Sequence, residues 1–322
     1  MRLRALNKLQ EIEIKGERDE LAAEQSEIQA LLGSEEKQWA AVAGQVKAVR
    51  ETYSQKTELG ARRTTFADQP DLDIDFDTAF ITKEPVTVVL SEKGWIRAIK
   101  GKTTDVSSIK FKDGDKAAFV VPAETTDKII LFATNGKFYT LSADKLPGGR
   151  GNGEPIRLMI DLEDDHLPIG LFVHDETREL LIASSEGYGF RVIEKDITAS
   201  KRSGKQTLNV KGEAKAVRCI EVTGDKIAAI GENRKIVIFD VEELPTMSRG
   251  KGVRIQKYKD GSLVDIATFK SEDGLTFVDS AGRVNSVPDW KELEGKRAQA
   301  GRMAPRGFSR AGEFAPDKRL KW

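Results

Sequence analysis

The chain has 322 residues, of which 52 are Lys or Arg and 52 Asp or Glu, so a formally neutral protein carries charge on nearly a third of its positions, more than a compact domain usually does. Its single cysteine, Cys219, rules out an intramolecular disulfide and argues against a cysteine-based metal site. No run is long and apolar enough to cross a membrane as a helix and no signal peptide is read at the start, so a soluble, cytoplasmic protein with no membrane-spanning segment is expected.

Residues 1–60 read as a helical arm. Ile14, Leu21 and Ile28 recur every seven residues, Ser34 with Glu35 and Glu36 marks a helix start, and Trp39, Val42, Val46, Val49 and Tyr53 follow at intervals of three and four. Two antiparallel helices joined near Leu32-Gly33-Ser34 satisfy this pattern, with Tyr53 packed on its apolar stripe. Gly16 in the charged first helix costs about 1 kcal/mol relative to Ala, which suggests that the arm leans on a partner segment.

Residues 61–82 read as a linker or first extended segment. Asp71, Asp73, Asp75 and Asp77 imitate a calcium loop but lack its turn Gly and closing Glu, and Leu72, Ile74 and Phe76 alternate with them as a half-buried extended segment would. No metal site is assigned there.

From 83 to 313 one hairpin is written five times, with turn positions at Gly94, Gly136, Gly187, Arg234 and Gly282 and spacings of 42, 51, 47 and 48 residues. Apolar strands precede each turn, as in Ile129-Ile130-Leu131-Phe132, and β-branched or aromatic strands follow it, as in Ile236-Val237-Ile238-Phe239. A period in this range predicts a mostly β fold, a propeller-like array of five four-stranded blades behind an α-helical arm, with 314–322 as a tail. Residues 1–82 hold 11 basic and 16 acidic residues, which leaves 41 and 36 for the remainder, so the positive excess lies on the array.

That excess recurs after the hairpins, in the loops 147–153, 201–205, 248–252 and 296–302, while the first repeat has only Lys100-Gly101-Lys102. Glycines allow close approach to a phosphate and expose amide donors, and Arg and Lys add charge and forked contacts. Four such loops in register predict phosphate contacts along one rim, so that duplex DNA follows a curved path without base reading. The candidate contacts are Lys93, Arg97, Lys100, Lys102, Arg150, Arg157, Lys201, Arg202, Lys205, Arg249, Lys251, Arg254, Lys296, Arg297, Arg302 and Arg306. His166 and His174 stand in no catalytic constellation, Cys219 reads as a buried inert thiol, and Trp95, Trp290, Tyr139 and Phe190 read as blade core rather than base-stacking platforms.

The stretches Val-Val-Leu-Ser-Glu-Lys-Gly-Trp-Ile-Arg (88–97), Leu-Pro-Gly-Gly-Arg-Gly-Asn-Gly-Glu-Pro-Ile (146–156), Leu-Leu-Ile-Ala-Ser-Ser-Glu-Gly-Tyr-Gly-Phe (180–190) and Glu-Leu-Pro-Thr-Met-Ser-Arg-Gly-Lys-Gly (243–252) resemble the C-terminal part of the A subunits of bacterial type IIA topoisomerases. Leu-Asn-Lys-Leu at 6–9 and Arg62-Arg63-Thr64 resemble that family's coiled-coil arm, so the resemblance covers nearly the whole chain. It implies a DNA-binding β-pinwheel. Where the gyrase branch carries a Gln-Arg-Arg-Gly-Gly-Lys-Gly box, this chain has Lys100-Gly101-Lys102-Thr103-Thr104-Asp105, which favours the topoisomerase IV branch over a gyrase wrapping domain. The family's cleavage tyrosine, preceded by arginine in a winged helix, has no counterpart here, so the resemblance implies a part of a larger isomerase without catalytic residues of its own. By the same resemblance its partners are double-stranded DNA, the B subunit with its Mg²⁺ and ATP, and the remainder of the dimeric A subunit, at the bacterial nucleoid. A protein-binding propeller is the competing reading from another class, but it lacks the Trp-Asp signature of scaffold propellers.

Overall fold

A computed structural model describes residues 2–61, 64, 81–103, 109–149, 151–279, 281, 283–287, 289–308 and 312–314. The chain divides into two compact units, Met1–Asp73 and Ile74–Trp322.

The first unit contains helices α1 (Arg2–Leu32) and α2 (Glu35–Thr52). The Ser34 hydroxyl accepts from the Lys37 amide (3.4 Å), and Glu35, Glu36 and Arg50 sit where the helix dipole favours their charges. Gly16 lies within α1 without ending it. The apolar stripes remain uncovered, because Ile14, Leu21, Ile28, Trp39, Val46 and Tyr53 are all exposed and α2 buries no residue. Tyr53 is therefore not packed as the periodicity suggested, since no apolar surface among the described residues covers its side of α2. The alternating Asp71–Asp77 stretch lies outside the described residues.

The second unit is a row of antiparallel sheets. Blade one has the hairpin Pro85–Ser91 and Trp95–Lys100, blade two Lys128–Ala133 and Lys137–Ser142, blade three Glu179–Ser184 and Tyr188–Ile193, and blade four Lys226–Gly231 and Lys235–Asp240. A third strand flanks the first strand of each hairpin: Ala117–Glu124, Pro168–Val173, Ala216–Glu221 and Leu263–Phe269. These third strands contact one another in succession, which makes them the inner edges of the blades.

The fourth strand is supplied by the following repeat. Glu154–Pro155 leaves the blade-two hairpin to pair with Trp95 and Ile96 of blade one, and Lys205–Gln206, Val253–Arg254 and Arg302–Met303 do the same for blades two, three and four. Blades one to four are thus each closed at the outer edge by the neighbour's chain. Blade five is smaller, a hairpin of Thr276–Val278 and Val284–Ser286 joined by bridges from Phe277 to Phe314 and from Asp279 to Phe308. Phe314 is buried and donates its amide to the Asp265 carboxylate (2.9 Å), so the packed array extends one residue into the stretch assigned to the tail.

Apolar runs in the first hairpin strands reflect burial on both faces. Alternate residues go to opposite sides: Ile129 and Leu131 pack with Val86, Val88 and Leu90 of blade one, whereas Ile130 and Phe132 pack with Leu180 and Ile182 of blade three. Leu181 and Ala183 continue the row to Ile227 and Ala229, and Ala228 and Ile230 to Phe277 and Phe314. Each of the larger side chains contributes about 1.5–3 kcal/mol of burial.

Candidate nucleic-acid interface

The basic loops occupy equivalent places because the invading strands that follow them do. In all four blades the residue after the invading pair donates its amide to the carbonyl of the hairpin-turn residue: Ile156 to Gly94 (2.8 Å), Thr207 to Gly136 (3.2 Å), Ile255 to Gly187 (2.7 Å) and Ala304 to Arg234 (2.8 Å). These turn residues have φ of 81°, 73°, 75° and 59°, the left-handed conformation a tight hairpin needs. Upstream, each connection touches the fourth residue of the second hairpin strand. The Ala98 amide donates to the Pro147 carbonyl, the Ala199 amide to Thr140 Oγ1, the Arg191 amide to the Pro245 carbonyl and the Gly295 amide to the Ile238 carbonyl, all at 2.8–3.0 Å. Four basic loops therefore cross the outer edges of four successive blades in one register.

The last glycine of each loop has a packing task that its sequence does not signal. A Cβ at Gly153, Gly204, Gly252 or Gly301 would stand 2.2, 2.8, 2.4 or 2.3 Å from the carbonyl oxygen of Ile96, Phe138, Gly189 or Ile236, and all four have positive φ. These glycines let the invading strand close on its host hairpin. Gly148 and Gly151, by contrast, have open space around them.

The candidate cations fall into two sets. Arg97 is buried; its guanidinium donates to the Gly151 and Lys110 carbonyls and lies 5.7 Å from the Phe111 ring. Arg157 binds the carbonyls of Leu162, Glu163, Asp164 and His166 at 3.1–3.2 Å. Arg254 covers the Tyr188 ring and donates to its hydroxyl. Arg297 donates to the Arg254 carbonyl (2.7 Å), and Arg202 to the carbonyls of Met159 (3.0 Å) and Leu158. These five arginines bond to protein acceptors through the planar guanidinium donors, and Arg202 alone among them remains exposed while doing so.

The second set is exposed. Lys201, Lys205, Arg249, Lys296, Arg302 and Arg306 have no side-chain partner among the described residues. Lys93 reaches the Asp113 carbonyl (3.2 Å), Lys100 pairs with Glu84 (3.1 Å), and Lys251 pairs with Glu186 (2.8 Å) while lying 4.3 Å from the Tyr188 ring. The Glu186 carboxylate raises the Lys251 ammonium above its ordinary range, so the lysine stays charged. Lys102 is exposed, adding to the pull of Lys83 that holds the Glu124 carboxyl low. Arg150 lies outside the described residues. Lys112, which no glycine pattern signals, stands 3.3 Å above Trp95, the residue that pairs with Pro155 at the first outer edge.

Tyr139 and Phe190 are fully buried and Trp290 packs edge-on against Phe269 (5.2 Å), as core residues, whereas Trp95 is only half-buried. Cys219 is buried and desolvation pushes its thiol far up. His174 Nδ1 lies 3.1 Å from Glu194, a fully buried carboxylate also held by Arg178 at 2.6 and 3.0 Å. His166 Nδ1 lies 3.0 Å from the Thr134 hydroxyl. Among the described residues no group of three His, Cys, Asp or Glu side chains has the arrangement of a metal site, and no helix is long and apolar enough to cross a membrane.

Comparison with known proteins agrees with this layout. The family model described as DNA gyrase C-terminal domain, beta-propeller matches residues 127–175, 178–222 and 225–270, the hairpins and third strands of blades two to four. The A chain of DNA topoisomerase 4 from Caulobacter vibrioides is 46% identical over 324 residues, covering 98% of this chain and 43% of the relative. That of Rickettsia felis is 40% identical over 315 residues, covering 98% and 42%. The chain thus spans less than half the length of these curated relatives. The solved C-terminal domain of Escherichia coli ParC superposes with a TM-score of 0.63 at 25% identity, over 70% of this chain and 96% of that one.

Proposed function

Because this chain belongs to the family formed by the C-terminal domains of the topoisomerase IV and gyrase A subunits, we infer that it binds and bends double-stranded DNA along its outer edge. The observation that supports this reading is the shared register of the loops, together with exposed cations in those that cross the outer edges of blades two, three and four. Lys205, Arg249, Lys251, Lys296 and Arg302 supply the phosphate contacts, with Lys93, Lys100, Lys102, Lys201 and Arg306 at the margins. Phosphate contacts of this kind position a duplex without reading its sequence. The bent segment is presented to a cleavage core for decatenation and relaxation in the cytoplasm at the nucleoid. That core is formed by the remainder of a dimeric A subunit together with the B subunit, which would supply Mg²⁺ and ATP. The weak first loop, Lys100-Gly101-Lys102, with Lys100 already paired to Glu84, favours bending without the strong chiral wrapping of the gyrase branch.

Titration of a labelled duplex at several salt concentrations tests this. Binding should weaken steeply with salt, and reversing the charge at Lys205, Arg249 and Lys296 should lower the log–log slope by about one per residue while leaving the melting temperature unchanged. Binding insensitive to salt, or an unchanged slope in the triple variant, would overturn it.

A further inference from the structure

The outer edges are bonded to one another. After each invading strand the chain runs beside the next basic loop, and main-chain bonds join the two. The Asp161 amide donates to the Arg202 carbonyl (2.9 Å), linking edges one and two. Asn209 donates to the Gly250 carbonyl (2.7 Å) and Gly250 to the Thr207 carbonyl (2.9 Å), linking two and three. Ala298 donates to the Ile255 carbonyl (2.8 Å) and Lys257 to the Gln299 carbonyl (3.1 Å), linking three and four.

An arginine side chain crosses two of these three junctions. Arg202 Nε and Nη2 reach back to the Met159 and Leu158 carbonyls. Arg297 Nη1 reaches the Arg254 carbonyl on the blade-three invading strand, its own amide is held by the Glu243 carboxylate (3.0 Å), and its Nε is buried with no partner among the described residues. At the middle junction the exchanged pair of main-chain bonds acts without such a side chain, and the neighbouring Arg249 is exposed.

We propose that Arg202 and Arg297 are positioning residues that fix the spacing between neighbouring outer edges, and through it the curvature of the bound duplex, while Arg249 and the exposed lysines contact phosphate. This rests on the DNA-binding reading above. Lysine keeps the charge but has neither the planar fork with which Arg202 spans two carbonyls nor the rigid donor that Arg297 directs at one, so Arg→Lys substitution separates the two roles.

The test compares Arg202→Lys, Arg297→Lys and the control Arg283→Lys, an exposed arginine of blade five paired with Asp279 (3.0 Å), in the full chain. Without DNA, the distance between spin labels at Glu154→Cys and Lys205→Cys, or at Val253→Cys and Arg302→Cys, is measured by double electron–electron resonance. The matching Arg→Lys variant should broaden that distribution. With an end-labelled duplex, Arg202→Lys and Arg297→Lys should retain the salt slope and an affinity within about threefold of the parent, while energy transfer reports a smaller, more dispersed bend. Arg283→Lys should change neither distance nor bend. Unchanged distances and bend in both positioning variants would overturn the proposal, as would an Arg202→Ala variant that loses about one unit of salt slope at constant bend. If one variant fails to fold, the other junction gives the same decision. If the parent chain shows no salt-dependent binding, the DNA reading falls, and the DNA-free distances still decide the stapling role.

Discussion

At the scale of single residues, Arg234 holds the one described hairpin turn built without glycine. Its φ of 59° is costly for a side chain with a Cβ, and its Nη2 donates to the Phe308 carbonyl (3.1 Å) in blade five. Arg234→Ala keeps the backbone cost and loses the tether, whereas Arg234→Gly loses the tether but relieves the backbone. The glycine variant should therefore be more stable than the alanine variant by about 1 kcal/mol in chemical denaturation. Cys219 offers a second check. Its desolvated thiol should resist alkylation in the native protein and react on unfolding, and rapid native modification would mean that the third strand of blade three opens readily. Glu194 is a third. With both oxygens of the fully buried Glu194 carboxylate engaged by Arg178 and His174, Glu194→Ala leaves a largely buried guanidinium without its anion and should cost about 3 kcal/mol in denaturant titration.

At the scale of the element, the blade is a hairpin completed by a neighbour's chain. A Cβ at Gly301 would meet the Ile236 carbonyl at 2.3 Å, so Gly301→Ala should cost about 2 kcal/mol or more and expose the Arg302 and Met303 amides to hydrogen exchange. The hairpins themselves are legible in the sequence, because apolar, β-branched and aromatic runs on each side of a glycine leave little alternative, as at Ile129–Leu141. The invading strands are not legible. Glu154–Pro155 and Lys205–Gln206 are two residues long and lack an apolar pattern, too short for periodicity, and the glycines before them, which read as phosphate-binding turns, do not signal the close strand approach they also permit. The same limit explains the divided arginines. Arg97, Arg157, Arg202, Arg254 and Arg297 look like Arg249 in sequence, and only their distance from protein acceptors separates them.

At the scale of the whole array, neighbour-completed blades and bonded outer edges make a chain of nearest-neighbour contacts, and on the proposed reading this framework rather than the DNA sets the curvature. On that reading a bound duplex adopts the curvature it finds, at an elastic cost of order 1–6 kcal/mol for about 20–30 base pairs, which the phosphate contacts must exceed. Affinity and bend then respond differently to salt. The most direct test is energy transfer across an end-labelled duplex bound to the full chain, recorded at rising salt alongside the affinity. The bend of the bound fraction should stay constant while the affinity falls steeply, and a bend that relaxes in step with the affinity, or a bound duplex that is straight, would contradict the account.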